Sequence, residues 1–434
     1  MEYLKRYLTE ELKKWLDRKE IVAIKGPRQS GKTTLLRILK EYLINQKRVS
    51  PNNVIYVTFE DRDILDAFSK DPREYINSYL SRARALNERF YFFIDEFQYL
   101  EEGGQKLKLL YDTYESIKFI ITGSSSLEIT GHTSQYLVGR VFSFYLYQFS
   151  FGEYLQAMPK NLQNAYEDSY KRIRDFLDKG KSFSIKEDIF AKDFNRYLEN
   201  FVVFGGYPEV IKTRDIEAKK IILKNIYDTY ITKDIIGLLR IKDISGFRLV
   251  VSLLANQIGN LLNMHTLASD SRSYFRQLRH YLSVLEETFI IRNLKPYFKN
   301  IATEIKKNPK IYFVDTGLRN WTVNNFNKFE IRADVGSLVE NVVLASFYQK
   351  QEEEIRYWRT LGQAEVDFIL KLPDKVIPIE VKYSPLKLPE ITRSLKNFIS
   401  VYKPPRALVL TKGFWGKIKA ESTEICFAPV WYAI

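Results

Sequence analysis

Two kinds of hydrophobic pattern run along the chain. Short β-branched or aromatic runs stand at Ile21 to Ile24, at Tyr91 to Ile94, within "KFIITGSSSLEI" and after Arg140 in "LVGRVFSFYLYQFSFGEYL". Each is bounded by glycine or polar residues, which predicts strands buried on both faces, as in a parallel sheet covered by helices. From about Phe149 to Arg240 strand character is lost. Amphipathic segments such as "NLQNAYEDSYKRIRDFLDKG" and "KKIILKNIYDTYITKDIIGLL" predict a succession of helices there. Next come a helix from Phe247 to about Ile258, a short one around His265 to Ala268, and a third from Arg272 to Leu285 with "SDS" as its N-cap. Two strands with a basic connection follow, "FIIRNLKPYFKNIATEIKKNPKIYFVD". The last stretch predicts a helix ("DVGSLVENVVLASFYQKQ"), three strands ("IRYWRT", "AEVDFIL", "KVIPIEVKYS"), a helix ("LPEITRSLKNFISVYK") and a strand ("RALVLTKG").

At 434 residues the chain exceeds one ordinary core. The pattern divides it into an α/β domain over residues 1–148, a helical segment over 149–240, a helix-turn-helix with two strands over 241–314, and a second α/β domain over 315–434. No apolar run approaches the ~20 residues that cross a bilayer, and the first residues form a charged amphipathic helix without a signal-peptide core, so a cytoplasmic protein without membrane contact is expected. The single cysteine, Cys426, excludes disulfide scaffolds and Cys-based zinc sites within one chain, and its apolar run makes it a small buried hydrophobe. The formal charge of +14 suits a polyanionic partner. Abundant Lys and Glu with few Cys, Met and His suit a thermophile equally well, so position must decide between them.

The strand Ile21 to Ile24 runs into "KGPRQSGKTTLL". Gly26, Pro27, Arg28, Gln29, Ser30, Gly31, Lys32, Thr33 and Thr34 have the spacing of a phosphate-binding loop between a strand and a helix. Glycines permit a turn that aims backbone N–H groups at phosphates, Lys32 neutralises the terminal ones, and Thr33 supplies an oxygen to Mg2+. "RFYFFIDEFQYL" completes the set: Asp95 and Glu96 emerge at a strand end, Asp95 to hold the metal and Glu96 to polarise the attacking water. After the third strand, Thr122, Gly123, Ser124 and Ser125 stand where a hydroxyl can sense the terminal phosphate, with Ser124 the candidate. Arg140, at the head of the next strand, is placed either to reach a neighbouring subunit's γ-phosphate or to sit in a surface ion pair. The implied ligands are ATP and Mg2+, and the first role requires a homo-oligomer.

On "GPRQSGKTTLL", "FFIDEFQYL", "IITGSSS", "LVGRVFSFYLYQFSFGEYL" and "FGGYPEV", nearly the whole chain resembles the AAA-type ATPases of archaea and bacteria that carry a characteristic C-terminal domain. The resemblance implies a P-loop ATPase fold with a helical lid over the nucleotide. Its family-specific pieces are Arg28, the Gly139-Arg140 pair and Gly205-Gly206-Tyr207-Pro208.

The order of helix, turn, helix and two strands predicts a winged helix-turn-helix. From Ser271 to Lys310 nine basic residues (Arg272, Arg276, Arg279, Arg292, Lys295, Lys299, Lys306, Lys307 and Lys310) stand against three acids, Glu286, Glu287 and Glu304. Arg272, Arg276 and Arg279 recur at helical spacing and are the candidate DNA contacts, although such a face also packs against protein or solvent.

The last domain resembles the PD-(D/E)XK nuclease core in element order. Period-two geometry sets Glu380 and Lys382 on one face of a strand, with Asp367 on the strand before it and Glu340 on the preceding helix. Asp367, Glu380 and Glu340 would hold Mg2+ while Lys382 steadies a metal-bound hydroxide. Glu365, on the face of Asp367, is an alternative ligand or a bystander. The leading expectation is an ATP-dependent protein that processes duplex or branched DNA with a fused Mg-dependent endonuclease. An ATP-controlled binding switch with a silent nuclease-like domain, or an ATPase acting on proteins, would carry the same motifs.

Overall fold

The computed structural model describes residues 3–81, 89–124, 136–185, 188–231, 241, 243–297, 308–350 and 354–434. They form two compact units, 1–148 with 287–289, and 149–286 with 290–434.

In the first unit five strands form one sheet: β1 (Ile21–Lys25), β2 (Val54–Thr58), β3 (Phe90–Asp95), β4 (Ile117–Gly123) and β5 (Val141–Tyr145). Their order is β2-β3-β4-β1-β5, and every ladder is parallel. Alternation divides each strand between two cores. Val22, Ile24, Phe93 and Ile120 meet Leu35, Leu36, Leu39 and Leu43 of the helix Lys32–Asn45, while Ile21, Ala23, Phe92, Ile94 and Ile121 pack on the opposite side with Phe59, Phe68, Leu107 and Leu110. Covering both faces explains why these strands read as continuous apolar runs. It also fixes one end of the sheet, the carboxyl ends of β1, β3 and β4, as the place where polar side chains are gathered.

The second unit opens with helices Phe151–Leu155, Lys160–Lys179, Ala191–Phe204, Pro208–Lys212 and Ile216–Tyr227. Ile244–Asn256, Met264–Ser271 and Phe275–Glu287 follow, then the antiparallel pair β6 (Ile291–Leu294) and β7 (Lys310–Phe313). Leu261, between the first two of these helices, bridges antiparallel to Lys310. Beyond the helices Thr316–Thr322 and Val335–Gln349 lie β8 (Ile355–Arg359), β9 (Glu365–Lys371), β10 (Val376–Lys382), the helix Arg393–Tyr402, β11 (Arg406–Thr411), β12 (Gly416–Ala420) and β13 (Thr423–Pro429). The sheet order is β12-β13-β11-β10-β9-β8, with β10, β11 and β13 parallel and the remaining neighbours antiparallel. Phe368, Leu370, Leu408 and Leu410 face a core shared with Phe194, Leu198, Val250, Leu278 and Val342, so the helices before and after residue 240 bury one another's apolar faces. Ile369, Val409 and Phe427 face Leu395 and Phe398. Cys426 is buried in β13, and burial pushes its thiol up to about 12.

The third helix of the predicted helix-turn-helix starts later than its sequence pattern suggests. Arg272 has φ 52°, caps the end of Met264–Ser271 and belongs to the turn, so it does not share a helix face with Arg276 and Arg279. "SDS" closes the helix Met264–Ser271 instead of opening the next: Ser271 Oγ donates back to the Leu267 carbonyl at 2.6 Å, and the helix it closes is N-capped by Asn263.

Candidate nucleotide site and acidic cluster

The loop after β1 is shaped by two glycines. A Cβ at Gly26 would stand 2.0 Å from the Leu146 carbonyl oxygen, and Gly31 has φ 96°. The amide of Leu146 donates to Lys25 O at 2.7 Å, so the end of β5 closes on the loop where only glycine fits. Pro27 and Ser30 are buried, Arg28 donates to the Tyr99 hydroxyl at 2.8 Å, and Gln29 is exposed with φ 57°. Lys32 and Thr33 begin the helix, with Thr34 next. The buried Lys32 ammonium donates to Gly26 O at 3.1 Å and Pro27 O at 2.9 Å.

Asp95 is the hub at the sheet's carboxyl end. Its Oδ2 accepts from Thr33 Oγ1 at 2.6 Å and from the Tyr56 hydroxyl at 2.9 Å, and its Oδ1 accepts from Thr122 Oγ1. Burial and the Asp95 charge hold the Tyr56 phenol protonated well above its usual range. Glu96 has φ 55°, and its amide donates to both Asp95 Oδ1 and Thr122 Oγ1 at 3.2 Å. The Glu96 carboxylate accepts from Gln98 Nε2, and Gln98 Oε1 accepts from the amide of buried Ser124 at 3.3 Å. One connected set of polar groups thus joins the phosphate loop, Asp95, Glu96 and Ser124. Ser125 lies outside the described residues. Tyr56, Gln98 and Thr122 complete the network; Gln98 and Thr122 lie within stretches singled out by the sequence pattern, and Tyr56 does not.

A further support for the loop comes from the N-terminal segment. Arg6, 7% exposed, donates to Ser30 O at 2.8 Å, to Tyr147 O at 2.6 Å and to Gln148 O at 3.3 Å. No sequence motif marks this arginine. Arg140 is held in a two-pronged pair with Asp112, Nε to Oδ1 at 3.0 Å and NH2 to Oδ2 at 3.3 Å, and this pairing lowers the Asp112 pKa.

Arg272, Arg276 and Arg279 are all exposed. Between the first two lie Tyr274, 84% exposed, and Phe275, 41% exposed. Lys299, Lys306, Lys307 and Glu304 fall outside the described residues. Lys310 does not belong with this exposed basic set. Its side chain is 3% exposed, because its position in β7 turns it inward.

In the second sheet the antiparallel ladder between β9 and β10 has its last pair at Ile379↔Phe368. Beyond it Asp367 Oδ2 accepts the Val381 amide at 2.8 Å, a side chain taking the place of a backbone partner. Glu380 Oε2 accepts from Thr392 Oγ1 at 3.0 Å. Burial, foremost, and then the Glu340 charge push the Asp367 carboxyl well above its usual range, with Lys310 opposing; burial also raises Glu380, with Thr392 and Lys382 opposing. Lys310 Nζ lies 2.5 Å from Glu365 Oε1 and 3.3 Å from Glu340 Oε1, and Tyr312 also donates to Glu340 Oε1. The second oxygen of Glu365 pairs with Arg359 at 2.9 Å. Among the described residues, no group of three or more His, Cys, Asp or Glu is arranged to hold a metal ion.

Comparison with known proteins divides the chain into three matched regions. Residues 18–155 match the family described as an AAA domain, 195–328 a domain of unknown function (DUF8612), and 335–423 another domain of unknown function (DUF4143). An uncharacterized protein of Haemophilus influenzae is 26% identical over 430 residues, covering 97% of this chain and 96% of its own. One from Methanocaldococcus jannaschii is 26% identical over 407 residues, covering 90% and 81%. Among solved structures, Caenorhabditis elegans PCH-2 overlaps weakly, at 13% identity and TM-score 0.28 over 51% of this chain and 58% of that one. Residues 18–155 therefore carry an AAA-type α/β domain, and among the described residues no helix is long and apolar enough to cross a membrane.

Proposed function

We propose that the chain is an ATP hydrolase that couples turnover to binding and remodelling of duplex or branched DNA, with a nuclease-like C-terminal domain. The observation that carries the ATPase reading is the 2.6 Å contact between Thr33 and Asp95, beside Lys32 and Glu96. A hydroxyl and a carboxylate so close, at the start of a helix and the end of a strand, fit a Mg2+ ion accompanying ATP, whose charge would be offset against the phosphates. Lys32 exchanges the Gly26 and Pro27 carbonyls for terminal phosphate oxygens, and the helix N-terminus adds its backbone N–H groups. Glu96 orients the attacking water and receives its proton. Ser124, tied to Glu96 through Gln98, relays the presence of the γ-phosphate.

DNA engagement is supported by the helix-turn-helix and β6-β7 hairpin order, and by Tyr274 and Phe275 interleaved with Arg272, Arg276 and Arg279. Arginines contact phosphates, and aromatic rings offer stacking or apolar contact with bases. The αβββαβ order with Asp367, Glu380 and Lys382 supports nuclease ancestry. A second reading, an ATP-controlled switch whose nuclease-like domain is silent, is favoured by the Lys310 ammonium among the acids meant for metal.

The test is phosphate release and strand cleavage measured with single-stranded, duplex, forked and four-way-junction DNA. Lys32→Ala should lose nucleotide binding, and Glu96→Gln should bind ATP while hydrolysing it roughly 100-fold more slowly. Undiminished turnover in Glu96→Gln removes its assigned role, and ATP turnover indifferent to every DNA form removes the DNA coupling.

A further inference from the structure

We propose that Lys310 is the resident cation of the acidic cluster in the second sheet, occupying by protein what a three-carboxylate metal centre would leave for Mg2+. The inference rests on packing around β7 and β9 and stands whether or not the chain hydrolyses ATP.

Glu340 and Glu365 come from different elements, the helix Val335–Gln349 and β9, and Lys310 from β7 reaches both. A buried ammonium without counter-charge is costly, and so are clustered carboxylates without a cation. Each requirement satisfies the other here. Tyr312, two residues along β7 on the same face, donates to the Glu340 oxygen that Lys310 also touches. Arg359 holds the other oxygen of Glu365. Burial works against the charge of Lys310, but Glu340, Asp367 and Glu365 together outweigh it and keep the ammonium protonated. Glu340 and Glu365 are thus committed to protein donors, and the donor set does not fit a metal ion shared by Glu340, Asp367 and Glu380.

Lys310→Met should expose the difference. The side chain keeps its length and loses its charge, leaving the carboxylates in search of a cation. In nucleotide-free full-length protein, Mn2+ titration followed by electron paramagnetic resonance should give little binding to the wild type. Lys310→Met should bind at least roughly tenfold more tightly, because unpaired carboxylates are hard-oxygen ligands. Its thermal midpoint should fall without metal and recover with Mn2+, whereas that of the wild type should not move. Glu340→Gln in the Lys310→Met background should restore part of the midpoint, since cation and anion leave together. A wild type that binds Mn2+ as tightly as Lys310→Met, with binding lost in Asp367→Asn, overturns the proposal. So does a Lys310→Met protein with an unchanged midpoint and no gain in Mn2+ affinity. If Lys310→Met does not fold, the Lys310→Met/Glu340→Gln double variant and the wild-type titration decide: a double variant as unstable as the single one counts against the proposal, and a folded one with a metal-indifferent wild type supports it.

Discussion

The Gly206 amide donates to Asp315 Oδ2 at 2.7 Å, tying the glycine pair after the helix Ala191–Phe204 to the residue that caps Thr316–Thr322. A Cβ at Gly205 would stand 2.3 Å from the other carboxylate oxygen, so Gly205 is demanded by a buried acid more than a hundred residues away. Asp315 also accepts the Leu318 amide at 2.9 Å. Burial nevertheless dominates its backbone hydrogen bonds and raises its carboxyl from 3.8 to about 6.

That shift has a defined sign. A carboxyl raised in the folded state binds its proton more tightly there than in the unfolded chain, so its contribution to stability is full below about pH 4 and is lost as pH rises through about 6. A difference of that size corresponds to ~3 kcal/mol. Asp315→Asn, which keeps an acceptor but no charge, should flatten the pH dependence of the denaturation midpoint between those values. Asp315→Ala should cost roughly 2–4 kcal/mol below about pH 4, by leaving buried N–H groups unpaired, and less as pH rises through about 6, where the wild type loses a contribution the variant never had. An Asn variant with the wild-type pH slope assigns the slope elsewhere.

The phosphate loop and Asp95-Glu96 were legible because their chemistry depends on residues close in sequence, framed by apolar runs long enough to count. β8 to β11 of the second sheet and the helices between and before them were legible for the same reason, whereas β12 was not marked as a strand. What escaped depends on chain segments meeting in space. β2 and its Tyr56, which reaches Asp95, carry no motif. The C-terminal run "EICFAPVWYAI" reads only as apolar, although its first half is part of β13, a central strand. In the sequence Lys310 is one basic residue among many, and only the packing of β7 turns it toward Glu340 and Glu365. The polar cluster at Ser269 to Ser271 has the composition of a helix start and a helix end alike, which is why the pattern assigns Arg272 to the helix after the one it caps.

Arg6 should behave as a positioning residue for the phosphate loop. Its guanidinium is the donor that meets the Ser30, Tyr147 and Gln148 carbonyls. Arg6→Ala should cost roughly 2–4 kcal/mol of stability through unsatisfied buried groups and weaken nucleotide binding more than it slows turnover at saturating ATP. Arg6→Lys should recover part of both, since an ammonium reaches fewer carbonyls. A purely structural arginine would lower stability and leave the KM of the surviving folded protein unchanged.

The arginines of the helix-turn-helix predict a salt signature. For duplex DNA, each arginine that no longer neutralises a phosphate should reduce the slope of log affinity against log salt by about 0.9. Neutralising Arg276 and Arg279, which share a helix, should flatten the slope more than neutralising Arg272 in the turn if the helix lies along the backbone. Tyr274→Ala should weaken binding without changing the slope, because a ring releases no counterions. Slopes identical in all variants would move this face to protein contacts.

Arg140 provides the test of self-association. Within one chain it is paired with Asp112, a surface contact worth little to folding. If its work is on a neighbour's γ-phosphate, Arg140→Ala should bind ATP normally, keep its denaturation midpoint and hydrolyse roughly 1,000-fold more slowly. Mixing it with Lys32→Ala should restore part of the turnover, since the Lys32→Ala subunit still carries the arginine and the Arg140→Ala subunit still carries a working phosphate loop. Asp112→Asn separates this from a surface role: it frees Arg140 without removing it, so hydrolysis should be kept or raised. Full activity in Arg140→Ala, or activity in a strictly monomeric protein, would leave Arg140 with its contacts to Asp112 and the Tyr111 ring and no work on a neighbour.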